Sequence, residues 1–337
     1  MSGTGTARVP ATGAAPRRPL DPELLAFADE VGSEGPVAVA GAGTRAELGG
    51  PLARGTRMLR APEGIVEHHP EEMTVRVRAG TTVADLHAAL AGAGQRSALP
   101  ERGGTVGGAL AVGEGHLASL GRGPVRDALL QVRYVSADGR VVTGGGPTVK
   151  NVSGYDLPRL VVGSLGTLGL LGEVVLRTQP VPAGSCWLRA EGADPFGARD
   201  VLYRPGAILW DGEATWVLLE GHPEDLAAEA AVLARSGAWR EVAGPPELPP
   251  QRWSLPPAGL RRLPEGMAGP SGSWVASVGI GVVHAGRPQQ PRRVAAASEE
   301  LTRRTKAAFD PAGRLSPGRS LLPALPSPAL GGGGGRS

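Results

Sequence analysis

The segment LPERGGTVGGA, Leu99–Ala109, carries four glycines around a single threonine. A turn needs one or two glycines. Glycines on both sides of Thr105 instead expose several backbone N–H groups and let a ligand approach the backbone closely, because no Cβ intervenes. An anionic ligand is the kind that such a surface favours. The segment therefore predicts a phosphate-binding loop made of Pro100, Gly103, Gly104, Thr105, Val106, Gly107 and Gly108.

A second glycine-rich segment, AGAGTR, begins at the end of the apolar run Pro36–Ala40, which predicts a buried strand. It also satisfies the dinucleotide pattern G-x-G-x-x-A, but that pattern requires a long helix to follow. Gly49, Gly50 and Pro51 come too soon after it for such a helix. We therefore predict a short anion-binding loop made of Ala40, Gly41, Ala42, Gly43, Thr44 and Arg45.

Three further segments complete the pattern. TVKNVSGYDL occupies residues 148–157, and GSLGTLGLLGEV follows at residues 163–174. FDPAGRLSPGR lies near the end of the chain, at residues 309–319. In this order and spacing the five segments resemble those of the FAD-binding oxidases of the vanillyl-alcohol oxidase superfamily, with their PCMH-type FAD domain. The segments at 150–157 and 163–169 resemble in particular those of glycolate oxidase E subunits.

The resemblance covers residues 36–180 and 309–319, and it implies an α+β fold. A two-lobed FAD-binding domain would be followed by a smaller α+β cap domain. FAD would lie between the lobes, with its pyrophosphate on the two loops already described. The resemblance adds these residues to the cofactor site: Gly115, Lys150, Gly166, Thr167, Gly169, Leu170 and Leu171. Lys150 is one of two lysines in the chain, and a surface lysine is an equal alternative for it.

The resemblance also indicates how the flavin is held. Many relatives bond the flavin covalently to a histidine just after the first glycine loop, where this chain has Thr44 and Arg45. No histidine precedes His68, so we expect non-covalent FAD. In the cap, His222 and His284 are too few for a predicted metal site. His284 is the candidate catalytic base, and a hydrogen-bonded scaffold histidine is its alternative.

Composition shifts predict the domain boundaries. We expect two disordered tails. Residues 1–19 are rich in Gly, Ala, Pro and Thr, and residues 323–337 are rich in Pro and Gly. The Pro- and Gly-rich linker at 180–184 separates an FAD-binding domain at 20–180 from a cap at 181–300. The segment 301–322 is expected to return to the FAD-binding domain.

Local patterns predict several elements. Thr74–Arg78 alternates as a half-exposed strand, and Thr82 caps a helix that ends at Gly92. The Asp138-Gly139 pair predicts a hairpin with a primed turn. A strand is expected over residues 173–178 and a helix over residues 225–233.

Charge and cysteine content indicate the cellular location and the kinds of partner. The net charge is +3, but without the four arginines of the two ends the chain has 31 basic and 32 acidic residues. No nucleic-acid surface is therefore expected. One cysteine and no long apolar run predict a cytoplasmic protein with no transmembrane segment, peripheral to a membrane only through partner subunits.

Two functions remain open at this point. The first is an FAD-dependent oxidoreductase, or a subunit of one, that takes a hydride from a small 2-hydroxy acid such as glycolate. The second is a flavin-carrying assembly subunit that needs a catalytic flavoprotein and an iron–sulfur subunit, and the few cap histidines favour it. An NAD-dependent Rossmann dehydrogenase is a distant third, which flavin absorbance would exclude.

Overall fold

The computed structural model describes residues 20–146, 156–263, 273–289 and 294–321. The α-helices in these ranges are α1 Pro22–Val31, α2 Val83–Ala91, α3 Val106–Val112, α4 Ser119–Arg122, α5 Val125–Ala128, α6 Leu157–Val161, α7 Pro195–Val201, α8 Pro223–Leu233 and α9 Ala296–Phe309. The first nine strands are β1 Val37–Val39, β2 Arg57–Leu59, β3 Ile65–His69, β4 Thr74–Arg78, β5 Gln95–Arg96, β6 Leu129–Val135, β7 Val141–Gly145, β8 Leu170–Arg177 and β9 Gln179–Pro180. The later strands are β10 Gly184–Glu191, β11 Ala207–Trp210, β12 Ala214–Gly221, β13 Arg240–Val242, β14 Gln251–Ser254, β15 Trp274–Ser277 and β16 Val282–Ala285.

An antiparallel sheet in the order β3-β4-β8-β6-β7 forms the centre of the first half. In β4, Val75 and Val77 are buried in the main core and Arg76 and Arg78 are only partly buried, which confirms the predicted alternation. The predicted strand at 173–178 is also found, but β8 already begins at Leu170. The apolar faces of α1, α2 and α3 complete this core.

Helix α2 begins as its sequence predicts. The Thr82 hydroxyl accepts a hydrogen bond from the Asp85 N–H at 3.0 Å, which satisfies one of the free donors of the first turn. Val83, Leu86 and Leu90 face the core, and Gly92 forms the C-cap. The predicted helix at 225–233 is likewise present and begins two residues earlier.

The predicted hairpin forms, but the primed turn was wrong. Ser136 N–H donates to Arg140 O at 3.0 Å, which leaves a three-residue loop instead of a two-residue turn. Only Gly139 has a positive φ, at 80°, whereas a type I′ turn also requires one at Asp138. The Asp138 side chain is instead held by the Ser136 hydroxyl at 2.5 Å and by Arg140.

The segment after α9 lies against the first loop region. Leu315 bridges to Val37 in parallel, and Ser316 N–H donates to Val37 O at 2.8 Å. Arg314 donates to the backbone carbonyls of Val31, Gly32, Glu34, Gly35 and Ala137. The end of the described chain is thereby fixed beside β1, where the first glycine loop starts.

A second antiparallel sheet, in the order β13-β10-β12-β11-β15-β16-β14, contains the strands from Gly184 to Ala285. It has its own apolar clusters. Arg96 and Arg122 of the first half both bond to Glu220 on β12, which joins the two halves through buried charges.

Candidate functional site

A cleft opens between the two predicted glycine loops, the start of β8 and Ser316. It consists of two adjoining cavities of about 810 and 770 Å³, which include their open mouths and share a wall that contains Gly41, Thr105 and Gly108. Cavities of this size hold cofactors and other small molecules. The predicted cofactor residues that line it are Ala40, Gly41, Ala42, Gly43, Thr44, Arg45, Thr105, Gly107, Gly108, Gly166, Gly169, Leu170 and Leu171.

The first loop presents a run of unused backbone donors. Ala40 N–H donates to Leu59 O, and Ala46 N–H donates to Gly43 O. The five N–H groups between them, from Gly41 to Arg45, have no acceptor among the described residues. Successive free N–H groups in a turn form an anion-binding concavity, which is what a pyrophosphate requires.

The second loop has fewer free backbone donors than we expected, with the N–H groups of Gly104 and Thr105 unused among the described residues. The N–H groups of Val106 and Gly107 donate to Thr81 O and Ala79 O, and that of Gly108 donates to the Thr105 hydroxyl. These donors are therefore used within the protein. This loop instead shapes the cleft, because a Cβ on Gly41 would lie 2.7 Å from Thr105 Oγ1 and the two loops could not meet.

Several predicted residues lie away from the cleft wall. Val106 is fully buried in the core, and the buried Thr167 hydroxyl donates to Ser164 O. Gly103 and Gly104 have positive φ values of 64° and 93°, so they turn the loop. Pro100 and Gly115 line a neighbouring cavity. Lys150 lies outside the described residues.

Two residues that the sequence did not single out also line the cleft. Leu165 and Ser316 have positive φ values of 54° and 46°, a conformation that non-glycine residues rarely adopt. Strained backbone of this kind clusters at ligand sites. Both lie in segments that carried the resemblance, Leu165 at 163–174 and Ser316 at 309–319, but nothing in the sequence marks either residue within its segment.

Arg45 lies at the inner end of the cleft and is almost fully buried, with 7% of its surface exposed. Its Nε donates to the buried Glu114 carboxylate, and its Nη1 donates to Thr44 Oγ1 at 2.7 Å and to Gly103 O at 3.0 Å. Its Nη2 is buried and has no partner within the described ranges. A buried donor without an acceptor is available to a ligand or an ordered water. Together with the free N–H groups, it fits a phosphate-bearing cofactor.

A larger cavity of about 1540 Å³, again with its open mouth, adjoins this cleft at Val112. We call it the catalytic cavity, after the candidate base His284 that lines it. The first half of the chain contributes Pro100, Glu101, Arg102, Val112, Glu114, Gly115 and His116 to its wall, and the second sheet and its loops contribute Leu248, Arg252, Ser277, Val282 and His284. The cavity therefore lies between the two halves of the molecule.

Arg252 and His284 are directly opposite each other on the antiparallel strands β14 and β16. Opposite residues project from the same face of a sheet, and both side chains reach this cavity. Burial, and then the positive charge of Arg252, hold the pKa of His284 below its ordinary value of 6.5. His284 is therefore neutral near pH 7, and a hydrogen bond to the backbone of Pro249 holds its ring.

Arg252 is accessible to water yet surrounded by protein, as expected of a side chain inside an open cavity. Burial lowers its pKa, with the Glu114 carboxylate acting in the opposite direction and Arg102 adding to the lowering. Within the described part of the chain no acid forms an ion pair with Arg252. The cavity thus contains a guanidinium without a partner beside a neutral imidazole.

His116 has a structural role at the cavity wall. Its Nδ1 accepts the Ala118 N–H at 2.9 Å, so the ring proton is on Nε2, which donates to Glu101 at 3.0 Å. Burial is the main cause that lowers its pKa. Both ring nitrogens are occupied, which leaves His284 as the better candidate for a base.

No group of three or more His, Cys, Asp or Glu side chains in the ranges that the structure describes could hold a metal ion. None of the helices in those ranges is both long and apolar enough to cross a membrane.

The chain is similar in sequence to several known proteins. Residues 23–145 match the FAD-binding domain family. The chain is 34% identical to glycolate oxidase subunit GlcE of Escherichia coli over 229 residues, which are 65% of this chain and 62% of that protein. It is 43% identical to a D-lactate dehydrogenase of Archaeoglobus fulgidus over 76 residues, 23% of this chain and 17% of that protein.

Among solved structures, an alkyldihydroxyacetonephosphate synthase superposes with a TM-score of 0.60 at 14% identity, over 87% of this chain and 73% of that one. That likeness shows the fold alone. The predicted α+β, PCMH-type FAD-binding fold and the FAD cofactor are confirmed by these matches.

Proposed function

We propose that this chain, whose residues 23–145 belong to the FAD-binding domain family, serves as an FAD-dependent oxidoreductase, or a subunit of one, acting on a small 2-hydroxy acid. The observation that carries the proposal is the pairing of Arg252 with His284 in the catalytic cavity next to the cofactor cleft. Oxidation of a 2-hydroxy acid needs a cation for its carboxylate and a base for its hydroxyl proton, and this pair supplies both.

The position of each residue suggests its role in binding FAD or substrate. Backbone N–H groups of the first loop and the free Nη2 of Arg45 would hold FAD. When bound, FAD supplies a hydride acceptor. Arg252 binds the substrate carboxylate through its two-pronged guanidinium, which fixes the orientation of the α-carbon. His284 Nδ1 or Nε2, whichever is not bonded to Pro249, accepts the hydroxyl proton.

The names of two relatives support this substrate class. Glycolate and D-lactate, named in the two matched proteins, are both 2-hydroxy acids. The match spans 62% of the length of the glycolate oxidase subunit. The activity of that whole protein is therefore a proposal for this chain.

The alternative is a flavin-carrying assembly subunit with little turnover of its own. It is favoured by the match to a protein that is itself a subunit, and by the fact that His284 is the one histidine of the second sheet that lines the catalytic cavity in the described part of the chain. In that case a catalytic flavoprotein subunit and an iron–sulfur subunit would complete the complex. The complex would then catalyse the turnover that this chain lacks.

The deciding experiment is stopped-flow bleaching of the bound flavin by glycolate, D-lactate and other 2-hydroxy acids. We expect bleaching by wild-type protein and a loss of about 100-fold or more in His284→Ala, the range that a general base supplies. His222→Ala is the matched control, because His222 is exposed at the start of α8. An unaffected His284→Ala variant, with turnover only after partner subunits are added, would support the assembly alternative.

The pH dependence of bleaching provides an independent check. His284 must be neutral to accept a proton, and its pKa lies below 6.5. The bleaching rate should therefore be level near pH 7 and fall as the pH drops through that lowered pKa. A rate that falls around pH 8 would exclude His284 as the base.

A further inference from the structure

We propose that the catalytic cavity selects 2-hydroxy acids with a second carboxylate, which Arg102 binds while Arg252 holds the carboxylate beside the hydroxyl group. This inference rests on the proposed function and narrows its substrate class. The two arginines belong to different halves of the molecule: Arg102 lies in the loop before α3 and Arg252 on β14.

Neither arginine has a hydrogen-bonded acidic partner among the described residues. Arg252 forms no ion pair with any acid in the described ranges. The nearest acid to Arg102 is Glu114, with 3.9 Å between Nη1 and Oε1, which is too far for a hydrogen bond. Nearly half of the Arg102 side chain, 48%, stays accessible to solvent.

Glu114 is already engaged on its other side. Its Oε2 accepts from Arg45 Nε in a buried ion pair whose side chains are 6% and 9% exposed. That pair is shut off from solvent, so its charges compensate each other. The single negative charge of Glu114 is therefore shared, and it cannot balance the charges of Arg45, Arg102 and Arg252 together.

The remaining acid of the wall is also held elsewhere. Glu101 accepts from His116 Nε2 at 3.0 Å. Arg102, Arg126 and Arg252 thus all contribute guanidinium groups to the wall of one cavity. Burial is the main cause that lowers the pKa of Arg252; the Glu114 carboxylate acts against it, and the charge of the neighbouring Arg102 adds to it. Such an arrangement is unfavourable until an anion lies between the charges.

The position of each arginine assigns its carboxylate. Arg252 is opposite His284 in the sheet, so the carboxylate that it binds is the one next to the hydroxyl group. Arg102 contributes from the other half of the molecule, so we assign the second carboxylate to it. Glycolate and lactate have one carboxylate and would leave Arg102 without a partner.

Binding of inert acids tests this independently of turnover. The flavin-loaded chain would be titrated calorimetrically with succinate and with butyrate, which have no hydroxyl group to oxidise. We expect succinate to bind about tenfold or more tightly than butyrate, and Arg102→Gln to abolish that preference while leaving butyrate affinity unchanged. Arg252→Gln should weaken both.

Arg126→Gln is the matched control, since Arg126 is an exposed arginine that lines the same cavity from α5. It should keep the preference for succinate, because proximity of positive charge alone is not the mechanism. Equal affinities for the two acids in wild type, or equal losses in Arg102→Gln and Arg126→Gln, would overturn the inference.

Flavin bleaching by malate and 2-hydroxyglutarate, compared with glycolate and lactate, then separates the two proposals. Faster bleaching by the dicarboxylates supports both. Bleaching by glycolate and lactate at equal or greater rates overturns the second carboxylate site and leaves the oxidoreductase proposal standing. No bleaching by any acid, with the succinate preference intact, overturns the oxidoreductase proposal while the anion site stands.

Discussion

At the scale of single residues, glycines that look alike in the sequence have different duties. Gly43 has a φ of 74°, and a Cβ there would have no neighbour within 4 Å. Gly107 is enclosed: its Cβ would lie 2.8 Å from Ala79 Cβ and 2.9 Å from Ala79 O. The first glycine keeps a loop turned toward its ligand, and the second lets α3 pack against the end of β4.

These duties predict two different phenotypes. Gly43→Asp places a carboxylate among the free N–H groups and should abolish FAD binding while leaving the unfolding temperature of the apoprotein within a few degrees of wild type. Gly107→Asp should abolish FAD binding and also lower the unfolding temperature, because backbone atoms of Ala79 must move. Flavin absorbance and thermal denaturation measure the two effects, and normal flavin content in Gly43→Asp would show that the pyrophosphate lies elsewhere.

Thr44 and Arg45 stand where a flavin-linking histidine occurs in relatives. Since neither side chain forms such a bond and Arg45 is held by Glu114, acid precipitation should release all of the flavin into the supernatant. Absorbance of the supernatant and of the washed pellet tests this. Yellow colour retained by the denatured pellet would contradict non-covalent binding.

At the scale of elements, α9 shows how a mostly exposed helix can still be essential. Lys306 donates to Thr167 O at 2.8 Å, to Leu315 O at 2.9 Å and to the buried Asp310 carboxylate at 2.5 Å. This one side chain connects the helix, the turn before β8 and the terminal segment that carries Ser316 into the cleft.

Lys306→Met should therefore destabilise the fold strongly. It leaves the Asp310 carboxylate buried without its cation, a loss of about 3 kcal/mol or more in the free energy of unfolding. FAD affinity should fall as well, because Ser316 lines the cleft. Arg303→Met on the same helix removes an exposed pair with Glu300 and should cost about 1 kcal/mol or less. Equal denaturation midpoints for the two variants would contradict this role.

At the scale of the whole molecule, buried charges fix the second sheet over the first half. Glu220 on β12 accepts from Arg96 at 2.5 and 3.0 Å and from Arg122 at 3.2 Å. Burial acts to raise the pKa of Glu220, but the bonds to Arg96 and the charge of Arg122 outweigh it, and the net direction is downward. The carboxylate therefore stabilises the fold above its unfolded pKa, and that contribution is lost as the pH falls through the lowered folded value.

Glu220→Gln should loosen the contact between the halves without emptying the cofactor cleft, which the first half and the terminal segment form on their own. We expect a lower unfolding temperature, near-normal flavin content and weaker binding of acids in the catalytic cavity, whose two walls come from different halves. Glu191→Gln, which removes a partly exposed pair with Arg189, is the control. Unchanged acid binding in Glu220→Gln would show that the halves are held together by other contacts.

The sequence by itself determined several elements and the cofactor. Some signals act over only a few residues, so they can be recognised without knowledge of the fold. Examples are the Thr82 cap, the alternation of Thr74–Arg78 and the glycine loops. It did not determine which glycine donors were free, because Gly107 N–H is taken by Ala79 O, which only folding brings near. The hairpin turn was likewise decided by hydrogen bonds between Ser136, Asp138 and Arg140.

Only the tertiary structure decided the contents of the catalytic cavity. The chain has thirty-three arginines, and none carries a local signal for substrate binding. Arg252 stands out because strand pairing places it opposite His284, and Arg102 because the two halves meet across it. Both facts depend on contacts between residues more than 30 positions apart, and the free energy of those contacts comes from packing and buried charge that no short stretch of sequence contains.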